Sequence, residues 1–555
     1  MKNLWDTTTP VFEYPDNFRE VYEKIYVSQR KYFSDWVGKI SKNFSKNIDW
    51  WSSSVSSRNT YISKLFHNIC ILESLKCLKK RKKFPEEIIV NSKELKKIIE
   101  FNFKKKIIKV KKEILPLYWL KSIYFIFWPL IFSITIIFLS RIFKNKNLNL
   151  YKNKNTLIDI FITSKNLTTN RFYNDLENKK LNNKKNIYFV PTILNVSILN
   201  LPQLVIKIRN NHNFILKEDF INYSDIFYAF NYLFRKKNFH VHYSSYKAWN
   251  VSNLIKEEFS VYSNFQAILI SILNYRFAKN LKTKNIKLKK VVDWFENTTV
   301  DKGWNFGFRK FFPETITLGY QSYTLYRQFM CKHPSNAEYL YKVIPNKIVI
   351  IGKAYKKIRK EFCKKIKIEV GPALRFSHIF SQKLSYKRKY NILVTLNLDI
   401  TESKKILFSL IDTEYAKSEK TIFIKSHPLL PLSKVVNKKA IPKNFVELKG
   451  DFFKIAKNSK VIISAGISSS IVEGVACGCA IVMPYTNKND YYNFKYLRIP
   501  RSSYRISKNT YELDRDINHF INEKNNDAKK RIKKSILLSS NLFQKTTKSN
   551  LKIFS

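Results

Sequence analysis

Acidic residues are scarce in this chain: 42 Asp and Glu stand against 101 Lys and Arg, a formal net charge of +59 over 555 residues. Such a balance implies attraction to polyanions, whether nucleic acid, anionic lipid or nucleotide-linked substrates. The lysines are spread through plain surface loops as well, so most of them read as a solvated surface. The 6 cysteines show no zinc-ligand spacing, and Cys477 and Cys479 fall in an apolar helix-to-strand turn. That pattern reads as a reduced, cytosol-facing protein. The first ten residues lack an apolar stretch, so no secretory signal is expected. No internal repeat is present, nor an RNA-binding aromatic motif, a helix-turn-helix pattern or a zinc module. No D-x-D follows a strand either; Asp301 and Asp399 are isolated.

A hydrophobic content of 45% excludes wholesale disorder, and the length allows two or three domains. The most informative stretch is V-I-I-S-A-G-I-S-S-S-I-V-E-G-V-A-C-G-C-A-I-V-M-P, Val461 to Pro484. It reads as strand, tight small-residue turn, helix and strand, one βαβ unit. The serines 468–470 stand where a helix N-terminus offers free N–H groups to an anion. Glu473 follows near the mouth, where a carboxylate can hold a ribose hydroxyl pair. Plain serine capping of an ordinary βαβ unit explains the same letters.

Upstream, T-I-F-I-K-S-H-P ends a strand in Lys425, Ser426, His427 and Pro428. Strands of one parallel sheet share a C-terminal edge, so both motifs would open onto one crevice. Histidine as a residue type can act as acid, base or phosphate donor near neutral pH, which makes His427 a candidate; helix capping is its other reading. Glu296, in V-V-D-W-F-E-N, stands at a strand end where it could act as general base, or cap the next helix. Arg375, in V-G-P-A-L-R-F, is a candidate for holding a phosphate or locking a hinge. His333, before Pro334, is a further candidate.

K-S-H-P together with S-S-S-I-V-E-G-V-A-C-G-C-A resembles the C-terminal half of GT-B glycosyltransferases, nearest to the capsule, O-antigen and polysialic or Kdo transferase-like enzymes of bacterial surfaces. Val291–Asn297, Leu318–Ser322 and Val370–Phe376 are similar to the surface carbohydrate biosynthesis family. The resemblance covers roughly 285–497 well and the N-terminal part loosely. It implies two Rossmann-like domains facing across a cleft, and sugar transfer from a nucleotide-sugar donor to a glycan or lipid-linked acceptor. By resemblance the His427 side chain contacts the nucleotide phosphate or donor sugar. Donor binding then falls to Lys425, Ser426, Ser468, Ser469, Ser470, Glu473 and Arg375, and catalysis to Glu296 and His427. No metal and no cofactor beyond the donor itself is expected. The family often has a histidine near 318–322; here Tyr320, Gln321 and Ser322 stand instead, which puts a base at that place in doubt.

From Ser122 to Ser140 no charge occurs, between Lys121 and Arg141. A run of about 20 such residues can cross a bilayer. A buried hairpin or an in-plane or re-entrant helix fits as well, and basic flanks on both sides favour no orientation. Membrane association is expected, its mode open. The expected layout is 1–115 basic and aromatic, 116–145 membrane-associated, 146–380 acceptor domain, 381–514 donor domain and 515–555 a helical tail packing back on the first domain. Strands are expected at Glu87–Val90, Thr156–Thr163, Asn186–Pro191, Phe214–Leu216, Val291–Trp294, Ile348–Ile351, Ile392–Leu396, Thr421–Lys425 and Val446–Leu448. The expected place is the cytoplasmic face of the inner membrane. A teichoic-acid-type phosphopolyol transferase shares the H-P and S-S-x-x-E logic; a basic nucleic-acid-binding protein is the alternative from another class, although no nucleic-acid partner is expected.

Overall fold

The computed structural model describes residues 3–104, 108–111, 115–144, 150, 153–163, 173, 176, 186–241, 244–327, 329–380, 385–466, 468–485 and 492–554. Its strands are β1 Leu4–Asp6, β2 Glu87–Val90, β3 Ile108–Val110, β4 Asn155–Ile162, β5 Ile187–Ile193, the small hairpin β6 Ser245–Tyr246 and β7 Trp249–Asn250, β8 Leu288–Trp294, β9 Ile316–Gln321, β10 Lys347–Ile350, β11 Lys367–Val370, β12 Tyr390–Thr395, β13 Ile422–Lys425, β14 Phe445–Glu447, β15 Ser459–Ile463, β16 Ala480–Pro484 and β17 Tyr504–Ser507. The helices that matter below are α1 Asp16–Ser41, α2 Leu65–Lys80, α3 Leu115–Ile142, α4 Leu201–Arg209, α5 Tyr223–Phe230, α6 Phe265–Thr283, α7 Thr299–Phe311, α8 Ile400–Ile411, α9 Ser469–Ala476, α10 Thr510–Ile521 and α11 Asn525–Leu542.

Two separate six-stranded parallel sheets form the two halves. The first runs β11-β10-β9-β8-β4-β5 and the second β14-β13-β12-β15-β16-β17. In its own numbering the second has the order 3-2-1-4-5-6 of a doubly wound dinucleotide-type sheet. Its direction of winding reverses between β12 and β15, which pair with Ile392 opposite Val461. That reversal opens a crevice at the C-terminal strand ends.

The central strands read as apolar runs because both faces are covered. Side chains alternate between faces along a strand. Ile392 and Val394, with Val461 and Ile463, pack into one core beneath α8 and α10. Leu393 and Ile462 point the other way, into a core shared with the first sheet and the tail.

The N-terminal region is more than a basic preface. Trp5, Phe18, Trp50, Trp51 and the apolar face of α2 lie in one core with α6 and α7 of the first domain. β1, β2 and β3 form a small parallel sheet of their own. α1 also reaches the second domain, where the Tyr485 hydroxyl donates to Glu23 at 3.2 Å. The tail does pack back on the first domain. The Gln544 N–H donates to the Ile351 carbonyl at 2.6 Å, and the Ala373 N–H donates to the Gln544 carbonyl at 2.8 Å. Phe543 lies over Phe376, and Phe554 is buried against Tyr320.

Some expectations need correction. Phe214–Leu216 is no strand: Phe214 makes only an isolated bridge to Phe189. Its backbone turns at once into a 3-10 turn at Lys217–Asp219, so no ladder extends. β1, β3, the β6–β7 hairpin, β9, β11 and β17 were not anticipated; none of them is a long apolar run.

Helices α6 and α7 approach so closely that a Cβ on Gly303 would lie 1.7 Å from the Ser271 carbonyl oxygen. Backbone cannot yield there as a flexible side chain does. Gly303→Ala is expected to lower the unfolding free energy by at least about 2 kcal/mol in urea titration. An unchanged midpoint would contradict this helix contact.

Candidate functional site

The site follows from how three strands of the second sheet end. β12 ends at Thr395, β13 at Lys425 and β15 at Ile463, all on the same edge. After β15 the chain turns through Ala465 and Gly466. Gly466 has φ +64°, a left-handed conformation that strains other residues, and a Cβ there would lie 1.9 Å from the Glu402 carboxylate, so any side chain would have to push that carboxylate aside. α9 then starts, with Ser468 as its N-cap accepting the Ser470 N–H at 3.3 Å. The Ser470 hydroxyl is the knot of the site. It lies 2.5 Å from the Ser468 hydroxyl, 3.0 Å from that of Thr395 and 3.4 Å from that of Ser464.

These ends enclose a cavity of about 410 Å³, within the range of small-molecule sites. Arg375, Lys425, Ser426, His427, Ser468, Ser469, Ser470 and Glu473 all line it. Every donor-side residue expected from sequence is therefore brought to one place. The N–H groups of the first turn of α9 and the positive end of its dipole belong to this wall, a ready anion site.

His427 Nδ1 accepts the Leu429 N–H at 3.1 Å. The imidazole thus does cap the next turn, as one reading held, yet it also lines the cavity. With Nδ1 accepting, the proton of the neutral ring sits on Nε2, the tautomer that can donate to an anion. The Ser426 hydroxyl donates to the Glu447 carboxylate, which fixes its rotamer. Glu473 is only 7% exposed. Burial raises its carboxyl above the usual range, while nearby Arg375 and the Ser469 hydroxyl oppose that rise. Glu473, read from the sequence as standing near the mouth, faces inward in α9 near Arg375.

The cavity also has walls that the sequence reading passed over: His378, Thr395, Gly450, Asp451, Phe452 and Phe453. The His378 ring meets the Phe453 ring edge-on at 4.3 Å. Asp451 caps the short helix Phe452–Ala456 by accepting the Lys454 N–H at 3.0 Å. A signal for Thr395 and Asp451 was present: Thr395 ends β12 and Asp451 follows β14 of the same sheet, and the shared-edge argument applies to them as it does to His427. His378 gave none.

Glu296 stands elsewhere. It lies just past β8, at the C-terminal edge of the first sheet, where the strand order reverses between β4 and β8. It is not among the lining residues of the cavity. Its carboxylate pairs with the Lys332 ammonium at 2.7 Å and accepts the Trp294 indole N–H at 3.3 Å. Burial would raise its carboxyl, but Lys332 more than compensates and holds it below the ordinary range. Its side chain remains 33% exposed. Capping of the next helix falls to Thr298 and Asp301, not to Glu296.

His333 is a core residue, not a site residue. It is fully buried, with Nδ1 at 3.0 Å from the Ile358 carbonyl and Nε2 at 3.1 Å from that of Arg327. Tyr326, nearby in sequence, links the first domain to the site: its hydroxyl donates to the Ser468 carbonyl. Among the described residues no group of three or more His, Cys, Asp or Glu side chains is arranged to hold a metal ion.

No family model matches this chain, and no curated protein matches it. Solved structures give distant likenesses. The glycosyltransferase SnogD from Streptomyces nogalater has a TM-score of 0.40 at 10% identity, over 72% of this chain and 99% of that one. MurG of Acinetobacter baumannii has a TM-score of 0.38 at 10% identity, over 72% and 98%. A UDP-N-acetylglucosamine 2-epimerase-like protein from Listeria monocytogenes has a TM-score of 0.40 at 11% identity, over 69% and 91%. All three scores lie under 0.5, and the fold assignment rests on the strand orders of the two sheets.

Burial lowers the His333 imidazole to about 3. In the unfolded chain it titrates near its ordinary value of about 6.5. Protonation therefore favours the unfolded state. The contribution of neutral His333 is complete above pH about 6.5 and is lost as pH falls from there towards about 3. His333→Asn is expected to flatten the fall in stability across that window, measured by urea unfolding at a series of pH values. An unchanged pH slope would contradict it.

Proposed function

We propose that this protein is a membrane-associated GT-B-type glycosyltransferase that moves a sugar from a nucleotide-sugar donor to a cell-surface glycan or its lipid-linked precursor. The observation that carries the reading is the convergence of Lys425–His427, the α9 N-terminus, Glu473 and Arg375 on one cavity at the reversal point of the second sheet. In this reading the donor diphosphate sits at the first turn of α9. Negative charge grows on the diphosphate as the glycosidic bond breaks, and the α9 dipole, the His427 Nε2–H, Lys425 and Arg375 meet it with fixed donors and cations. Glu473 accepts from the ribose hydroxyls. Glu296, ionised and at the matching edge of the first sheet, is the acceptor-side base of this proposal. The surface-glycan class of acceptor follows from the motif resemblance, and the apolar α3 supports the membrane part.

Two variants separate this reading from a purely structural role. His427→Ala removes a donor to the phosphate and is expected to cost on the order of 2–4 kcal/mol in transition-state stabilisation. Glu473→Gln keeps the shape of a buried side chain and is expected to weaken nucleoside-diphosphate binding by about 1–3 kcal/mol. Melting temperature and nucleotide affinity, measured on the same proteins, decide the matter. Glu473→Gln should hold its melting temperature, and His427→Ala should lose only the small contribution of its exposed cap on the Leu429 N–H, while affinity or turnover falls. Loss of stability with unchanged affinity would falsify the site.

A further inference from the structure

Helix α3 carries more than the proposed reaction uses. Leu120, Tyr124, Phe127, Ile131, Ile134, Phe138 and Ile142 follow one another at spacings of three and four residues and are between 40% and 65% exposed. Spacings of three and four place them on one stripe of the helix. The opposite side, with Phe132, Ile136, Ile137 and Leu139, is buried against the first domain. The 24 residues Trp119–Ile142 are long and apolar enough to cross a membrane, by length and composition.

The inner side of α3 argues against crossing. Arg209 of α4 donates to the Ser140 carbonyl at 3.0 Å and pairs with Asp219 at 2.6 Å. The wall formed by Pro129, Phe132, Ser133 and Ile136 also carries Lys217 and Glu218. Were α3 upright in a bilayer, these charged groups would lie at hydrocarbon depth, where each is expensive. With α3 lying flat they stay on the protein side. The elements packed on α3 carry outward apolar groups of their own: Phe227 of α5 is 67% exposed, and Leu199, just before α4, is 88% exposed. Lys121, Arg141 and Lys144 at the ends of α3 and Lys207 on α4 are exposed, and α3 contains no acidic residue.

We propose that α3 lies in the plane of one leaflet of an anionic bilayer and does not span it. Its outward stripe enters the boundary between headgroups and acyl chains, and the flanking lysines and arginine meet lipid phosphates. Trp119 and Tyr124, both exposed, sit at headgroup level. The proposal deepens the membrane part of the function above, and its test uses neither donor nor acceptor. It can therefore fail while the transferase reading stands, and the reverse.

The full chain is mixed with preformed vesicles of phosphatidylcholine alone or with phosphatidylglycerol, and flotation is measured. Asn102→Cys and Asn238→Cys, exposed positions before and after α3, are tested for labelling by a membrane-impermeant thiol reagent. Binding is expected to require the anionic lipid. The double variant Ile131→Glu, Phe138→Glu is expected to lower partitioning by about tenfold or more at an unchanged melting temperature. Both reporter cysteines should label from outside. Undiminished flotation of the double variant would overturn the proposal, as would protection of one reporter, the mark of a span. So would a lipid-free dimer that the double variant dissociates in a chain that does not float, since the stripe would then be covered by a second copy.

Discussion

The second half of this protein hangs on the hydroxyl of Ser470. It ties the N-terminus of α9 to Thr395 at the end of β12 and to Ser464 just past β15, the two strands between which the winding of the sheet reverses. A helix N-terminus held by side-chain hydroxyls keeps its first-turn N–H groups fixed in direction. An anion arriving there meets donors that need not reorganise, the condition under which such groups act most strongly on developing charge. Gly466 eases the arrangement, because the turn there takes a left-handed backbone conformation that glycine adopts without strain.

Much of this was legible in the letters. Runs such as V-I-I-S and T-I-F-I-K marked buried parallel strands, and serines after an apolar strand marked a helix start. The rule that parallel strands share an edge then brought His427 and Glu473 together without coordinates. The same rule would have found Thr395 and Asp451. β9, β11 and β17 were hidden for a physical reason. Ile316–Gln321 and Lys367–Val370 mix polar and apolar residues, and their strand state is imposed by parallel neighbours more than by local preference. The isolated Phe214 bridge shows the converse: three apolar residues look like a strand, but the turn that follows them prevents a ladder.

The N-terminal region taught a different lesson. Its lysine runs suggest an exposed appendage, yet Trp5, Trp50 and Trp51 are buried and share a core with α6 and α7. The charges lie outward and the aromatics inward, a division that a net charge of +59 conceals. The first domain thereby gains a thick wall on one side and keeps α3 on its surface, where one face of that helix packs and the other does not. The tail, crossing from α9 to the β10 edge and ending at Phe554, fastens the two domains together.

The central claim is that the cavity beside His427 holds a nucleoside diphosphate. Photolabelling with a panel of azido-substituted nucleoside diphosphates, followed by mapping of the modified peptides, tests it most directly. The account predicts a label confined to peptides containing 375–378, 425–428, 450–453 or 468–473, protected by the unmodified nucleotide and insensitive to moderate salt. Labels scattered over the lysine-rich surface and lost as salt is raised would contradict it, for they would show only the general pull of a basic protein on phosphate.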